Sequence, residues 1–571
     1  MSDLPVVRAS NCTFGRGCGE SGTPARPLPV DVAAQVATHP CYSEDAHHHF
    51  ARMHVAVAPA CNIQCHYCNR KYDCSNESRP GVVSERLRPE DAVRKVLAVA
   101  EQVPELSVVG IAGPGDALAN ATATFATLEG IARAAPDLTL CLSTNGLALP
   151  ENVDRLVSLG VRHVTVTVNM IDPAVGERIY PWILRDGRKV HGIEASRILS
   201  ERQLEGIAIL RARGVLVKVN SVVIPGVNDQ HLPDVARAVR AAGAFLVNLV
   251  PLLSAPEHGT HFGLTGQRGP EAAELEAVQR ACEVDARLMR HCRQCRADAV
   301  GRLGEDRFDS FTMARLPPGP ARDAAELRAE RRAAVERVQA AQARERDAVL
   351  VRLASGPALR PARVAVATKG GGTVDQHFGH AREFLVYDVS RDGVRLVGRR
   401  SAETYCAGGD GDDDALQGVL RTLSDCEAVL VARIGRCPGG QLAAAGIQPS
   451  QAQAHRPIEA ALLEWLEARP GEGRKEVALW GRHFPSSARS SGPRTSSRRS
   501  ASRTTGRSSR CTAPRSSACS APPSRRWRRR SPSSGRRPSG PPSGEPCARR
   551  TTTSPPAGAP RSRSEGATSS S

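Results

Sequence analysis

Short β-branched runs alternate with longer amphipathic segments between residue 54 and about residue 290. This alternation constrains the fold most, because strands that alternate with helices form a parallel sheet. Six repeats are too few for a closed eightfold barrel, so the sequence predicts an open, partial (β/α)6 barrel. The predicted strands are 54–59, 106–112, 138–144, 163–169, 216–224 and 244–253. The predicted helices lie near 89–102, 120–135, 150–158, 194–213 and 229–242.

Three cysteines follow the first predicted strand, in the segment CNIQCHYC (61–68). Ligands of such sheets bind at the carboxyl ends of the strands, which is where Cys61, Cys65 and Cys68 stand. A structural zinc site needs four protein ligands, whereas a [4Fe–4S] cube held by three cysteines keeps its fourth iron free. The segment therefore predicts an iron–sulfur cluster with one open position. A zinc site or a loop of scattered thiols is the alternative.

The Cys-x3-Cys-x2-Cys spacing of residues 61–68 resembles that of the radical S-adenosylmethionine (SAM) superfamily. In that superfamily SAM chelates the open iron, and one electron from the cluster cleaves it to a 5′-deoxyadenosyl radical. The resemblance implies an enzyme whose protein part binds and orients SAM and excludes water.

Loops after the second, third and fourth predicted strands fit a SAM pocket. Gly113-Pro-Gly-Asp116 matches by position the superfamily's glycine-rich segment, although Pro114 and Asp116 depart from its usual Gly-Gly-Glu. Ser143-Thr-Asn-Gly146 offers hydroxyl and amide groups. A plain turn is the alternative for GPGD. The resemblance implies these SAM-binding candidates: Gly113, Gly115, Asp116, Ser143, Thr144, Asn145 and Asn169.

Further cysteines surround this core. Cys292-x2-Cys295 is a second ligand pair, for which half a zinc site or a redox pair is the alternative. His39-Pro-Cys41 places a soft thiolate beside an imidazole. The core segment also holds Cys12, Cys18, Cys74, Cys141 and Cys282. With His39, these eight thiols suffice for two more iron–sulfur clusters.

Two of these features have a simpler interpretation. Cys141 lies inside the third predicted strand and is either a ligand or a small buried core thiol. His47-His-His49 is interpreted as polar surface.

Segments 39–85, 256–270 and 289–306 together resemble the NifB family, the radical SAM maturases of the nitrogenase cofactor. The resemblance implies that two [4Fe–4S] clusters are fused around a SAM-derived carbide into an [8Fe–9S–C] precursor of the iron–molybdenum cofactor. It assigns Cys61, Cys65 and Cys68 to the SAM cluster. It gives one substrate cluster Cys74, Cys292 and Cys295, and the other His39 and Cys41 with Cys141. Glu77 and Arg79 would orient or protonate groups nearby; a surface ion pair is the alternative.

Residues 363–467 resemble the NifX/NafY-type cofactor-binding domain, a small α/β unit. His377 and His380 in HFGH are its candidate cluster contacts, with Cys406 and Cys437 as weaker options. The alternative is a turn with two exposed imidazoles. The domain is interpreted as a holding or hand-off module. The predicted organisation is a flexible segment 1–38, a radical SAM core 39–310, a charged helical linker 311–362, this domain at 363–470 and a tail 471–571.

The net charge of +18 is confined to the tail. Residues 481–571 contain 20 Arg, no Lys and 2 Glu, which accounts for the whole excess, so the rest of the chain is neutral and does not indicate a nucleic-acid binder. The same stretch lacks Leu, Ile, Val and Met and is predicted to be disordered. The abrupt change after Trp480 favours translation in a shifted frame; a basic tail that binds phosphate-rich partners is the alternative.

The sequence shows no secretory signal and no apolar run of membrane-spanning length, so we expect a cytoplasmic protein without membrane contact. The family resemblance implies a cluster-donating scaffold, nitrogenase cofactor carriers and assembly proteins, and a ferredoxin or flavodoxin reductant as partners. Two other functions remain open. One is a radical SAM methyltransferase or peptide maturase with auxiliary clusters; the other is an iron–sulfur scaffold or carrier that cleaves no SAM.

Overall fold

A computed structural model describes residues 28–317, 322–402, 404 and 413–469. Cys12, Cys18, Cys406 and the predicted tail from residue 471 onward lie outside the described residues. The strands are β1 (Ala51–His54), β2 (Ile63–Gln64), β3 (Leu106–Ile111), β4 (Thr139–Thr144), β5 (His163–Thr167), β6 (Trp182–Arg185), β7 (Arg188–Val190), β8 (Leu216–Val223), β9 (Leu246–Pro251), β10 (Val300–Gly301), β11 (Ala362–Val366), β12 (Glu383–Ser390), β13 (Gly393–Ser401), β14 (Ala428–Leu430) and β15 (Gln448–Ser450).

Helices connect and cover these strands. They are α1 (Val30–Val36), α2 (Ala46–His49), α3 (Pro89–Gln102), α4 (Ala121–Ala134), α5 (Val153–Ser158), α6 (Pro173–Glu177), α7 (Gly192–Ala212), α8 (Leu232–Ala242), α9 (His261–Leu264), α10 (Ala272–Glu283), α11 (Ala325–Ser355), α12 (Asp413–Thr422), α13 (Arg436–Ala444) and α14 (Ile458–Ala468).

The largest sheet has the strand order β10-β1-β3-β4-β5-β8-β9. Its six strands from β1 to β9 are parallel, and β10 pairs antiparallel with β1 at one edge. The predicted strands are present, but the first lies earlier than the predicted 54–59. Beyond His54 the chain stays extended beside β3, since the Val55 amide donates to the Gly110 carbonyl at 3.0 Å. The open, partial barrel is confirmed.

The two faces of this sheet differ in chemistry. On the outer face, apolar side chains such as Leu142, Val166 and Val219 pack under the helices in one continuous cluster. On the opposite face, which we call the inner face, β4 carries Cys141 and β8 carries Lys218. Parallel strands usually bury apolar residues on both faces, so a polar inner face indicates a site rather than a core.

A small sheet that the sequence analysis missed holds the cysteine loop. β2, inside CNIQCHYC, pairs antiparallel with β6, and β6 pairs with β7. The short strands and the turn at Asp186-Gly187, with φ of 49° and 76°, gave too little periodicity to be found in the sequence.

The smaller domain contains a five-stranded sheet, β13-β12-β11-β14-β15. Apolar clusters lie on both of its faces. The prediction of an α/β unit here is confirmed, although α13 and β15 were not predicted from the sequence.

The segment predicted as a linker, 311–362, contains a 31-residue helix, α11, that packs on both domains. Near its start, Arg328 donates to both carboxylate oxygens of Asp137 at 2.7 Å. Near its end, Val349 and Leu353 join the apolar cluster of the smaller domain. The described part of the segment predicted to be flexible, residues 28–38, contains α1, whose Val36 is buried against Tyr42.

Candidate functional site

The cysteine loop is shaped by hydrogen bonds between its own residues and the small sheet. The Gln64 side-chain amide donates to the carbonyls of Cys65 and Cys68, at 3.0 and 3.1 Å. The Leu184 amide donates to the carbonyl of Asn62 at 2.6 Å. The loop is therefore anchored through its backbone, which leaves all three thiols available as ligands.

Cys61, Cys65 and Cys68 line one cavity of about 220 Å³. We call these thiols and the cavity around them the rim site, because they follow the carboxyl end of β1. Burial, helped by the nearby Asp116 carboxylate, raises the pKa of Cys61 to about 11, and burial also raises the pKa of Cys65 and Cys68. Thiols of this kind bind a metal by exchanging their protons for it. Three soft thiol donors facing one cavity fit a three-cysteine iron–sulfur cluster.

The GPGD loop packs against the residues that lead into the cysteine loop. A Cβ added to Gly115 would lie 2.0 Å from the carbonyl oxygen of Ala60, so only glycine fits there. The Gly115 amide donates to the Ala58 carbonyl at 2.6 Å, and the Asp116 amide donates to the Ala60 carbonyl at 2.8 Å. Gly115 lines the cavity, whereas Gly113, at a φ of 132°, is not among the lining residues.

Asp116 is buried and its carboxylate is fully engaged. It accepts hydrogen bonds from the amides of Leu118 and Ala119, from the Thr144 hydroxyl and from the Asn145 amide, at 2.6–3.2 Å. Burial raises its pKa, although these donors act in the opposite direction. Asp116 therefore ties two loops of the cavity wall together, and a direct contact with SAM stays a prediction.

Residues 143–145 reach the cavity as predicted. The Asn145 side-chain amide donates to Asn62 at 2.7 Å and approaches the Cys61 sulfur at 3.7 Å. Ser143 faces the same cavity from the inner face of β4. The loop thus places an amide beside the first of the three thiols and a hydroxyl on the wall of the same cavity.

Asn169 is fully buried and does not line the cavity. Its side-chain amide donates to the hydroxyls of Tyr67 and Tyr180, at 2.9 and 2.8 Å, and its oxygen accepts from the Val222 amide at 2.7 Å. Both tyrosines line the cavity beside the cysteines. The structure therefore favours a supporting role for Asn169, and Tyr180 is a cavity residue that the sequence analysis missed.

Glu77 and Arg79 belong to a partly buried charge network. The Arg79 Nε donates to Glu77 at 2.7 Å, its Nη1 donates to the Asn69 carbonyl at 3.0 Å, and Lys71 pairs with the other Glu77 oxygen. Arg79 is only 5% exposed and lines the cavity, so the alternative of a surface ion pair does not describe it. Their predicted part in orientation or proton transfer stays a prediction.

A second set of soft ligands lies around Lys218 on the inner face. Leu246, the β9 neighbour of Lys218, packs in one cluster with Cys41, Cys292 and Cys295. Burial alone would lower the pKa of Lys218, but the nearby thiols of these three cysteines and of Cys141 raise it. We call this set, Cys41, Cys141, Cys292, Cys295 and Lys218, the inner chamber.

Side-chain donors point at two of the chamber sulfurs. The Asn248 amide donates to the Cys292 sulfur at 3.2 Å, and the Arg52 guanidinium donates to the Cys295 sulfur at 3.1 Å. Donors to ligand sulfurs tune a bound iron–sulfur cluster and orient its ligands. The segment between the two cysteines also reaches the rim site, because Gln294 lines that cavity.

His39 is buried at the edge of the chamber. Its Nδ1 accepts from the Cys41 amide at 3.2 Å, while its Nε2 is buried without a hydrogen-bond partner. Its ring lies 4.4 Å from that of His163, which the β4–β5 register places beside Cys141. An imidazole nitrogen held in this way is suited to ligate a metal.

Cys74 is tied to the chamber through its backbone. Arg296, which directly follows Cys295 and is fully buried, donates to the carbonyls of Cys74 and Glu77 and pairs with Asp298 at 3.0 Å. The structure thus joins the two segments whose cysteines were predicted to share a cluster. That Cys74 shares it stays a prediction.

The ligands are more widely spaced than those of a single ion. In the described residues, no three His, Cys, Asp or Glu side chains form a group that could hold one metal ion.

The chain is similar to proteins of known family in both domains. The sequence pattern of the Radical SAM superfamily matches residues 55–239. The FeMo cofactor biosynthesis protein NifB of Herbaspirillum seropedicae is 56% identical over 456 residues, which cover 79% of this chain and 86% of that protein. NifB of Rhodobacter capsulatus is 58% identical over 437 residues, with 76% and 97% covered. This chain belongs to the NifB family.

The match extends through the smaller domain. The family described as dinitrogenase iron-molybdenum cofactor matches residues 360–468. NifB of Azotobacter vinelandii is 52% identical over 492 residues, which cover 82% of this chain and 95% of that protein. The fold predicted from the sequence is confirmed: a partial radical SAM barrel followed by a small NifX-like α/β domain.

The predicted contacts in the NifX-like domain form one turn. The rings of His377 and His380 lie 4.8 Å apart, and the Nδ1 of His377 accepts from the Gly379 amide at 3.0 Å. Burial, with His380 and Arg433 nearby, lowers the pKa of His377. One imidazole thus closes the turn, and cluster binding by the pair stays a prediction. Cys437 is exposed near the start of α13.

The interpretation of His47–His49 as polar surface is wrong for this NifB-family chain. His47 and His48 are buried, and the His47 ring stacks on that of His291 at 4.8 Å. The Nδ1 of His48 lies 3.3 Å from the Gly370 carbonyl of the NifX-like domain. The sequence could not show this burial, because the partners lie far away along the chain.

Proposed function

We propose that this chain is a radical SAM enzyme that builds the carbide-centred precursor of the nitrogenase iron–molybdenum cofactor. The observation that supports this function best is the placement of two soft-ligand sets on one face of the half-barrel. The rim site holds three thiols, the inner chamber holds four, and the Gln294 loop borders both. A radical SAM enzyme that binds only its SAM cluster has no need for a second chamber of thiols beside its SAM site.

Cys61, Cys65 and Cys68 would hold the resident [4Fe–4S] cluster. Together with SAM, this cluster would supply methyl transfer and reductive cleavage of SAM. The chain's own residues prepare that chemistry. The Asn145 side-chain amide lies beside the Cys61 sulfur and would orient it, and Asp116 holds together the loops that form the cavity wall. The buried tyrosines held by Asn169 would limit the access of water to the cavity.

The inner chamber would hold the two substrate [4Fe–4S] clusters. His39, Cys41 and Cys141 would bind one, and Cys292 and Cys295 with Cys74 the other. Two such clusters supply eight irons and eight sulfides. The product [8Fe–9S–C] also needs one carbon, which the methyl group of SAM provides, and a ninth sulfur, which an inorganic sulfur donor must provide.

The NifX-like domain would hold the product or pass it on. We propose a cytoplasmic enzyme that receives clusters from an iron–sulfur scaffold, electrons from a ferredoxin or flavodoxin, and delivers its product to nitrogenase cofactor carriers. No helix in the described part of the chain has both the length and the apolar character needed to cross a bilayer.

The test is anaerobic reconstitution of the full chain with iron and sulfide, followed by SAM and dithionite. We expect about twelve irons per chain, as three four-iron cubes require, and formation of both S-adenosylhomocysteine and 5′-deoxyadenosine. About four irons with 5′-deoxyadenosine alone would contradict the proposal and indicate an organic substrate. Full iron without SAM cleavage would indicate a scaffold or carrier.

A further inference from the structure

Lys218 is a buried cation without an anionic partner. It is 7% exposed, and within the described part of the chain no carboxylate forms an ion pair with it. Its ammonium group lies 5.8 Å from the centre of the Tyr42 ring, which is also buried. A buried charge without a partner destabilises a fold strongly, so a residue of this kind indicates a site that an anion occupies.

Arg52 repeats this pattern on β1. It is 2% exposed, donates to the Gly301 carbonyl at 2.6 Å and to the Cys295 sulfur at 3.1 Å, and its Nε is buried without a partner. It forms no ion pair with a described carboxylate, although Asp306 lies in its surroundings. Two buried cations thus face the same group of thiols.

The rest of the molecule treats its buried cations differently. Lys95 on α3, 2% exposed, pairs with Glu85 at 2.7 Å. Arg296 pairs with Asp298 at 3.0 Å, and Arg328 with Asp137 at 2.7 Å. The unpaired cations Lys218 and Arg52 lie where the sulfurs of the inner chamber are.

We infer that Lys218, supported by Arg52, is the charge-selecting residue of the inner chamber and balances the negative charge of an iron–sulfur cluster together with its thiolate ligands. This inference rests on the proposed function and adds a residue to it. Each cysteine that ligates iron brings a negative charge close to these two cations. A fixed ammonium beside four such sulfurs favours a bound anionic cluster over an empty or neutral state.

The test compares three variants of the full chain. Lys218→Met removes the charge at nearly constant volume, Lys218→Arg keeps the charge, and Lys95→Met removes an equally buried lysine outside the site. Each is reconstituted with iron and sulfide, and three quantities are measured: iron per chain, the rate at which a chelator removes iron, and the melting temperature of the metal-free chain.

For Lys218→Met we expect a loss of about four irons per chain or more, counted as four-iron cubes. We expect the chelator to remove the remaining chamber iron on the order of 10- to 100-fold faster, the factor for one charge roughly 6–12 Å from an anion at an effective dielectric constant of about 20. The melting temperature of the metal-free chain should stay the same or rise. Lys95→Met should lower that temperature, because Glu85 is left unpaired, and keep its iron. Lys218→Arg should keep most of the iron.

Three outcomes would overturn the inference. If Lys218→Met keeps the iron content and the chelation rate of the unsubstituted chain, the Lys218 charge does not stabilise the bound cluster, and the proposed function is unaffected. If metal-free Lys218→Met melts at a lower temperature and the loss of iron follows that loss of stability, Lys218 has only a structural role. If the unsubstituted chain holds only about four irons, the proposed function fails and this inference with it.

Discussion

The rim site and the inner chamber are both built from cysteines, but their construction differs. The three rim thiols come from eight consecutive residues, and the polar groups around them are satisfied by neighbours, as the Asp116 carboxylate shows. The chamber draws its thiols from three distant segments. It keeps buried polar atoms without partners, among them His39 Nε2 and Asn248 Oδ1.

This difference matches what each site would hold. A resident cofactor stays in place, so a local loop with satisfied neighbours suffices. A substrate cluster must be recognised, converted and released, and a chamber that carries unpaired charges and free donors is most stable when such an anion is present. If the proposed function is right, the stability lost at these positions marks where the substrate clusters bind.

The largest effect is expected when one cysteine is removed from each site and the two variants are compared. Cys65→Ala should abolish 5′-deoxyadenosine formation and remove about four irons, because only two rim thiols remain. Cys292→Ala should keep uncoupled SAM cleavage but lose iron from the chamber. Both are measured by iron content and product analysis. Cys282→Ala is the control, since that thiol is buried in the outer-face core. Unchanged SAM cleavage in Cys65→Ala would refute the assignment of the rim site.

A second prediction tests the local construction of the rim. Gly115→Ala brings a methyl group within 2.0 Å of the Ala60 carbonyl, so backbone must move. We expect a loss of about 3 kcal/mol in the free energy of unfolding and weak retention of the rim cluster. Gly418→Ala in α12 makes the same chemical change where nothing lies within 4 Å, and should be neutral or stabilising. Denaturant unfolding and iron retention check both, and equal effects would contradict the close-packing argument.

Much of the fold could be predicted because its periodicity is local. The alternation of strands and helices predicted the partial barrel, and the position of Cys61, Cys65 and Cys68 after the first predicted strand placed the three thiols together at the end of the sheet. The tight segments β2, β6 and β7 were too short to show a period.

The cysteines of the chamber and His39 were predicted, but Lys218 and His163 were not, because they lie inside strands that were predicted from their β-branched residues. One signal was present. HVTVTVN and LVKVN alternate polar and apolar residues, although a parallel sheet covered on both sides should be apolar throughout. The sequence could not separate two possible roles of Asp116 and Asn169. A buried side chain that holds loops together by hydrogen bonds and a side chain that contacts a ligand look alike in sequence. The burial of His47 depends on His291, far along the chain.

A smaller effect is expected at Glu77. Burial would raise its pKa, but the hydrogen bonds from Lys71 and Arg79 lower it overall, so it is ionised at neutral pH. Since the folded pKa lies below the unfolded value of about 4.3, its stabilisation is present above that pH and is lost as the pH falls through the folded value. Glu77→Gln should reduce the free energy of unfolding at pH 7 by about 1–2 kcal/mol and remove this acid-dependent part.

The pH dependence also tests the predicted role of Glu77. A carboxylate that only orients Arg79 leaves the shape of the pH–rate profile of SAM cleavage unchanged in Glu77→Gln, with a modest drop in rate. A lost limb of the profile would instead identify Glu77 as a proton donor or acceptor.

The smallest effect should come from the NifX-like domain, which touches the chamber segment. Arg293, between the two chamber cysteines, pairs with Glu383 on β12, and Arg290 donates to the Val397 carbonyl at 2.9 Å. Glu383→Gln weakens a partly exposed pair worth about 1 kcal/mol or less. We expect chelators to remove chamber iron a few-fold faster, with rim iron and SAM cleavage unchanged.

Glu467→Gln is the control for Glu383→Gln, because it makes the same chemical change at another Arg–Glu ion pair. That pair joins Glu467 of α14 to Arg352 of α11 at 3.0 Å, away from the chamber loop. If only Glu383→Gln affects chamber iron, the NifX-like domain stabilises the Cys292–Cys295 loop. Equal effects of the two variants would mean that the domain acts on the chamber only through overall stability. Faster loss of rim iron in Glu383→Gln would contradict the separation of the two sites, because Arg293, which pairs with Glu383, does not line the rim cavity.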